Sequence, residues 1–172
     1  MDVVYSNVRN LQGTIKIRSK LGQGTSILIK LPTSLMVSKG ILLEAGGQQY
    51  ILPLANIRDM VKLQPEETHT HRGQTFAQVR GNVYSIFSLA EMLGLTPLRT
   101  PEISVAIVEA GSMRYGLVVD KFLTEVEVLV KPLTGGLEQC KEFQGAAIMG
   151  DGRVVLVLNA LECSALGGVA CN

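Results

Sequence analysis

The chain has 172 residues, of which 47% are hydrophobic and 18% charged, with a formal net charge of +1. That length is enough for one domain or two small ones with a real core. A near-neutral chain without a basic run excludes nucleic acid as its main partner, and no apolar stretch reaches the length of a membrane span or forms a signal peptide.

In chain order, "MDVVYSNVRNLQG" places Val4, Val8 and Leu11 on one helical face, with Gly13 as the stop. "TIKIRS" and "TSILIKL" alternate about "KLGQG" and predict a hairpin with a glycine turn. A helix and one hairpin bury too little to be stable alone, so residues 1–31 must lean on another body. From Leu35 onward nearly every segment is short and strand-like. "GILLEAGGQQYILPL" predicts two strands about "AGGQ", and "FAQVRGNVYSIFSL" two more about "RGN". "ISVAIVEAGSMRYGLVVD" and "GAAIMGDGRVVLVLNAL" repeat that order, with Gly81 and Gly152 in matching places. "SLAEMLGL" and "NALECSAL" are the two short helical candidates of this part, and "LRTP" at Leu98–Pro101 reads as a connector.

"EAGGQQY" from Glu44 and "EAGSMRY" from Glu109 are nearly the same seven letters. Self-similarity at this offset points to one structural unit used twice. Tyr50 and Tyr115 would begin the return strands at the same register, and the expected architecture is two small barrels, one per half of the chain.

A catalytic constellation is hard to assemble. There is no G-x-S-x-G elbow and no P-loop lysine, and Glu44 and Glu109 sit beside turns, where carboxylates are usually solvated. His69 and His71 in "HTH" read as a solvated loop rather than a metal site. Cys140, Cys163 and Cys171 have no C-x-x-C spacing and fit a reducing compartment. "GQGT" at Gly22–Thr25 could cradle a phosphate, but a hairpin turn explains it as well.

Four separated segments then agree. "QQYILPLANIRDMVKL", "QVRGNVYSIFSLAEMLGL", "YGLVVDKFLTEVEVLVKPL" and "FQGAAIMGDGRVVLVLNAL" resemble the CheW-like regulatory domain of the chemotaxis histidine kinase CheA, in order and spacing. The segment before them resembles the end of that kinase's ATP-binding domain. The resemblance implies a mainly β protein of two SH3-like five-stranded barrels. Residues 1–33 would be the ATP-binding remnant and 34–172 the regulatory domain, with barrels at about 34–97 and 98–165. It implies a non-enzymatic coupling role in the cytoplasm, at receptor arrays. The partners would be a CheW-type adaptor, the cytoplasmic tip of chemoreceptors and the other domains of a longer kinase. No cofactor or metal is expected. Gly22, Gly24 and Thr25 match the family's last glycine box, but the Asn-bearing helix and the upstream D-x-G-x-G are missing, so this box would be vestigial.

Within that frame, the run Pro53, Leu54, Ala55, Asn56, Ile57 is apolar on most successive positions, where a half-exposed strand would alternate. Part of it is expected to face a partner. Asp59 and Arg80 match positions where CheW-type domains carry an acid and an arginine, and the expected binding site is Leu54, Asn56, Ile57, Asp59 and Arg80 on the first barrel. Two other readings compete: a kinase piece keeping weak nucleotide affinity, or a free-standing CheW-like adaptor. A generic SH3-like peptide or nucleic-acid binder would need an aromatic groove, which four tyrosines and four phenylalanines scattered along the chain do not supply.

Overall fold

The computed structural model describes residues 14–20, 22, 24–30, 36–98 and 100–166. The helix expected over the first dozen residues lies outside them. The chain divides into two units, Met1–Leu35 and Met36–Asn172.

In the first unit, β1 (Thr14–Lys20) and β2 (Gly24–Lys30) form the expected antiparallel hairpin. Its register pairs Ile15 with Ile29 and Ile17 with Ile27, so period-2 alternation sets four isoleucines on one face.

The second unit is mainly β. Its strands are β3 (Met36–Ala45), β4 (Gln48–Pro53), β5 (Ile57–Leu63), β6 (Thr68–His71), β7 (Gln74–Val79), β8 (Asn82–Ser88), β9 (Ile103–Ala110), β10 (Met113–Val119), β11 (Lys121–Lys131), β12 (Phe143–Ile148) and β13 (Val154–Leu158). Two short helices, α1 (Leu89–Met92) and α2 (Ala160–Leu166), fall where "SLAEM" and "ALECSAL" predict them.

Five strands close a barrel in the order β11-β12-β13-β4-β3, and six form a sheet in the order β5-β9-β10-β8-β7-β6. The barrel therefore takes 36–53 from the first half of the chain and 121–158 from the second. The sheet is built from 57–119. This corrects the division at residue 97: the two halves exchange hairpins. The reason lies in two parallel pairs, β13 on β4 (Val157 opposite Ile51) and β10 on β8 (Gly116 opposite Ile86). Each joins the first hairpin of one half to the second hairpin of the other. The sixth strand, β6, is the "THTH" stretch read as a loop; it pairs with β7 in full register although its residues are mostly exposed.

The repeat holds at the level of register. Tyr50 stands opposite Leu43, and Tyr115 opposite Val108. The turns differ in detail. Gly46 and Gly47 both have positive φ, 58° and 75°, the pattern of a type I′ hairpin. In the second copy only Gly111 does, at 62°, so Ser112 needs no left-handed backbone. Packing differs by an exchange of sizes. A Cβ on Gly40 would lie 2.5 Å from Ile51 Cγ2, whereas a Cβ on Gly116 would lie 2.9 Å from Val105 Cγ1 and 2.5 Å from Ile86 Cγ2. Each body thus sets one glycine against bulky neighbours, on opposite strands of the hairpin.

Three apolar clusters result. Leu42, Ile51, Val128, Val130, Ala147, Val155 and Val157 fill the barrel, and Leu63, Ala77, Val79, Ile86, Val105 and Ile107 line the curved sheet. The largest cluster joins the two, with Leu43, Tyr50 and Leu52 from the barrel, Val108, Tyr115 and Leu117 from the sheet, and Cys163 from α2. Strands β9 and β10 are buried on both faces, which is why "SVAIV" and "YGLVV" read as continuous apolar runs.

Cys163 is 0% exposed, and burial, with the charge of Glu142 behind it, pushes its thiol up to about 12 from 9.0. Burial raises the Tyr115 hydroxyl as well. Above pH 9 the unfolded chain loses a thiol proton that the folded chain keeps, so stability is full below pH 9 and falls between 9 and about 12. The slope from this group is about 1.4 kcal/mol per pH unit. Urea midpoints measured across that range should fall with pH, and Cys163→Ala should flatten the early part of the decline; an unchanged slope would remove the thiol from the account.

Candidate protein-interaction site

The run from Pro53 to Ile57 is not a strand. Pro53, with φ −59° and no N–H to give, ends β4, and Leu54–Asn56 turn as a short 3-10 helix that carries the chain from the barrel to the sheet. This explains the missing alternation. Leu54 is half-buried and belongs to none of the three clusters, and Ala55 is exposed. Asn56 donates its side-chain N–H to the Glu109 carbonyl at 3.1 Å, which pins the crossover to the end of β9. Ile57 packs against the central cluster.

From Ile57 the chain enters β5, an edge of the six-stranded sheet. The register against β9 skips between Ile57 and Asp59, so Arg58 is the extra residue of a β-bulge. Arg58, Met60 and Lys62 are exposed along the strand, and Met60 retains 43% of its surface.

Arg80 comes to this edge from the far side of the sheet. Val79 pairs with Asn82, leaving Arg80–Gly81 as a two-residue loop, and both have positive φ, 49° and 83°. A left-handed non-glycine residue is uncommon, and here it aims a guanidinium across the sheet. Arg80 Nε lies 2.9 Å from Asp59 Oδ2, and a second N–H reaches Oδ1 at 3.3 Å. The two residues that the sequence singled out separately thus form one bidentate pair. Asp59 Oδ1 also accepts the Met60 backbone N–H at 3.0 Å, which occupies a donor that a free edge would otherwise present.

The pair links the β7–β8 turn to β5. At one end β5 runs into β6 through a single turn at Pro65–Glu67, held by a reciprocal cap in which Glu67 Oε2 accepts the Gln64 N–H at 2.7 Å. At the other end the two sides are joined by Asp59–Arg80, over a small cavity of about 180 Å³ lined by Val79, Tyr84 and Ile107 among others. The barrel is closed by backbone pairing of β11 with β12, whereas the six-stranded sheet keeps β5 and β6 as its edges.

Sequence reasoning missed the charged cluster beside this edge. Glu109 accepts from Arg114 at 3.1 Å and from Arg58 at 2.8 Å, and those bonds, Arg114 first, hold its carboxyl below the usual carboxylate range. The signal available was the repeat itself, since Glu109 is half of a repeated pair, but its partners lie on other strands. Glu44, in the first copy, forms no such ion pair among the described residues.

The Gly22–Thr25 turn lies in the first unit. Gly22 and Gly24 have φ of 75° and 91°, and the Thr25 hydroxyl is 2.9 Å from its cross-strand neighbour Ser19. Among the described residues no group of three or more His, Cys, Asp or Glu could hold a metal ion. No helix among them is long and apolar enough to cross a membrane.

Comparison with known proteins agrees with this architecture. A family model described as "CheW-like domain" matches residues 39–165. The chemotaxis protein CheA of Salmonella typhimurium is 33% identical over 174 residues, covering 98% of this chain and 25% of that protein. CheA of Treponema pallidum is 30% identical over 172 residues, covering 97% of this chain and 21% of that protein. The chain therefore spans only a fifth to a quarter of these relatives. The scaffolding protein TtCheW from Thermoanaerobacter tengcongensis shares the fold, with a TM-score of 0.58 and 18% identity over 72% of this chain and 90% of that one.

Proposed function

The chain belongs to the CheW-like domain family, and from that premise we propose that it is the non-catalytic coupling module of a CheA-type chemotaxis kinase. It docks a CheW-type adaptor and the tip of a chemoreceptor in the cytoplasm, and so links receptor state to kinase activity elsewhere in a longer protein. Alignment with CheA across both units, the hairpin of the first unit included, supports the kinase over a free-standing adaptor.

The observation that carries the reading is the β5 edge. It offers an exposed methionine between two cations, is capped by Asp59, and is buttressed by an arginine held in a left-handed turn. An apolar centre with a charged rim is the anatomy of a protein interface. The site sits on the six-stranded sheet and the crossover into it, not on a first barrel made from residues 34–97.

Calorimetry with a purified CheW-type adaptor tests the site. Leu54→Ala, at a half-buried position outside the clusters, should weaken binding about tenfold, or about 1.4 kcal/mol, with an unchanged melting curve. Ile57→Ala is a poor binding probe, because its contact with the central cluster makes a stability loss of about 2–4 kcal/mol the expected result. Arg80→Ala should weaken binding and reduce its salt dependence, since it removes a rim cation and releases Asp59. If Leu54→Ala and Arg80→Ala both bind as wild type does, the site lies elsewhere.

A further inference from the structure

The six-stranded sheet has a second mouth at the end opposite the Arg80–Gly81 turn. It opens on a cavity of about 490 Å³, within the range of sites that hold a drug-sized ligand. Ile86 and Phe87 of β8, Val118 and Val119 of β10, and Ile103 of β9 give it apolar walls, and Pro97 and Leu98 of the connector stand over it. The lining carries two charged groups, the carboxylates of Glu91 and Asp120, and no described lysine or arginine. Leu98, at the rim, leaves 54% of its surface in solvent beside this apolar opening. None of the residues that form the Arg58–Arg80 edge contributes to it.

We propose that this cavity is a second docking site, which takes an aliphatic side chain carried next to a lysine or arginine on a partner polypeptide. The walls select the aliphatic group, and the Glu91 and Asp120 carboxylates, which meet no lysine or arginine among the described lining residues, select the cation beside it. An exposed leucine at the rim offers the partner apolar surface outside the cavity as well. No residue of β5 lines this cavity, and the proposal stands whether or not the β5 edge is the adaptor site.

The roof also connects the cavity to the barrel. Asp120 accepts the Leu98 backbone N–H with Oδ1 at 3.2 Å and the Gly46 N–H with Oδ2 at 2.6 Å. Gly46 in turn packs on Leu95, where a Cβ would lie only 2.5 Å from the Leu95 Cβ. A side chain seated under the connector therefore acts on one arm of a carboxylate whose other arm holds the β3–β4 turn.

Titration of the 15N-labelled chain tests this. The probes are the blocked peptides acetyl-Ala-Leu-Lys-Ala-amide and acetyl-Ala-Leu-Glu-Ala-amide. The lysine peptide should shift the amide resonances of Ile86, Val118 and Leu98 saturably, with a smaller shift at Gly46, and bind at least about tenfold more tightly than the glutamate peptide. Ser85→Leu, which fills the cavity from β8, should abolish the effect. Thr100→Trp, at an exposed rim position, serves the same purpose should Ser85→Leu fail to fold. Equal binding of the two peptides, shifts centred on Arg58–Lys62, no saturable shift, or wild-type binding by a folded cavity-filled variant would overturn the proposal.

Discussion

A Gly145→Ala chain should unfold at a clearly lower urea concentration than the wild type, with a loss of about 3 kcal/mol. The barrel is closed where β11 meets β12, and that seam has two register pairs, Val130 with Ala147 and Lys131 with Ala146. Gly145 lies just beyond them at an irregularity in the β12–β13 ladder. A Cβ there would be 2.6 Å from the Lys131 carbonyl oxygen and 2.6 Å from Val130 Cγ1. The carbonyl is backbone and cannot swing away as a side-chain end would, so the seam itself must open. Gly150→Ala is the matched control: its Cβ would meet nothing within 4 Å, and its cost should stay within about 0.5 kcal/mol. Equal midpoints for the two variants would show that the seam tolerates the extra carbon.

Tyr115 carries the second large effect. It is 0% exposed in the central cluster, stacks on Phe87 at 5.0 Å between ring centroids, and donates its hydroxyl to the Ala160 carbonyl at the start of α2. Tyr115→Ala should cost about 3–5 kcal/mol through the void it leaves. Tyr115→Phe keeps the ring and leaves the Ala160 carbonyl short of a partner, for a loss of about 1–3 kcal/mol. Tyr50, its counterpart in the repeat, is 7% exposed and stacks on Phe143 at 6.0 Å, with no hydroxyl bond among the described residues. Tyr50→Phe should therefore be nearly neutral in thermal unfolding. If the two Phe variants behave alike, the bond to α2 contributes nothing.

Local chemistry was legible in the sequence, and partner choice was not. The four repeated hairpins could be placed from their turns, because Gly46–Gly47, Arg80–Gly81, Gly111 and Gly152 impose backbone conformations that few residues adopt, whereas the β6–β7 hairpin about Arg72–Gly73 was read as a loop. The two helices followed from short apolar spacings beside a strand. The exchange of hairpins left no local trace, because β4 is equally apolar whichever parallel neighbour it takes. The swapped sizes of Gly40 against Ile51 and Gly116 against Val105 are the one residue-level sign that the two copies are packed as distinct bodies, and reading it requires the register. Asp59 and Arg80 were picked out by resemblance, and their bond depends on a bulge at Arg58 and a left-handed arginine that residue type does not announce. The apolar run at Leu54–Ile57 was correctly seen to break strand alternation, but its cause is the crossover between bodies.

The interleaved topology also sets an order on the ribosome. The hairpin of β3 and β4 emerges before the six-stranded sheet, yet every other strand of its barrel lies at 121–158. The six strands of the sheet all lie at 57–119, so that body can assemble while the barrel is still an orphan hairpin. Closing a loop around a finished body delays the last step without forbidding it, since the entropic cost grows slowly with length. Until β13 is made, β4 keeps a bare edge open to the wrong neighbour. A nascent chain arrested before Val154 would leave β4 unpaired on that side, and the edge is covered when β13 slots in beside the β3–β4 hairpin.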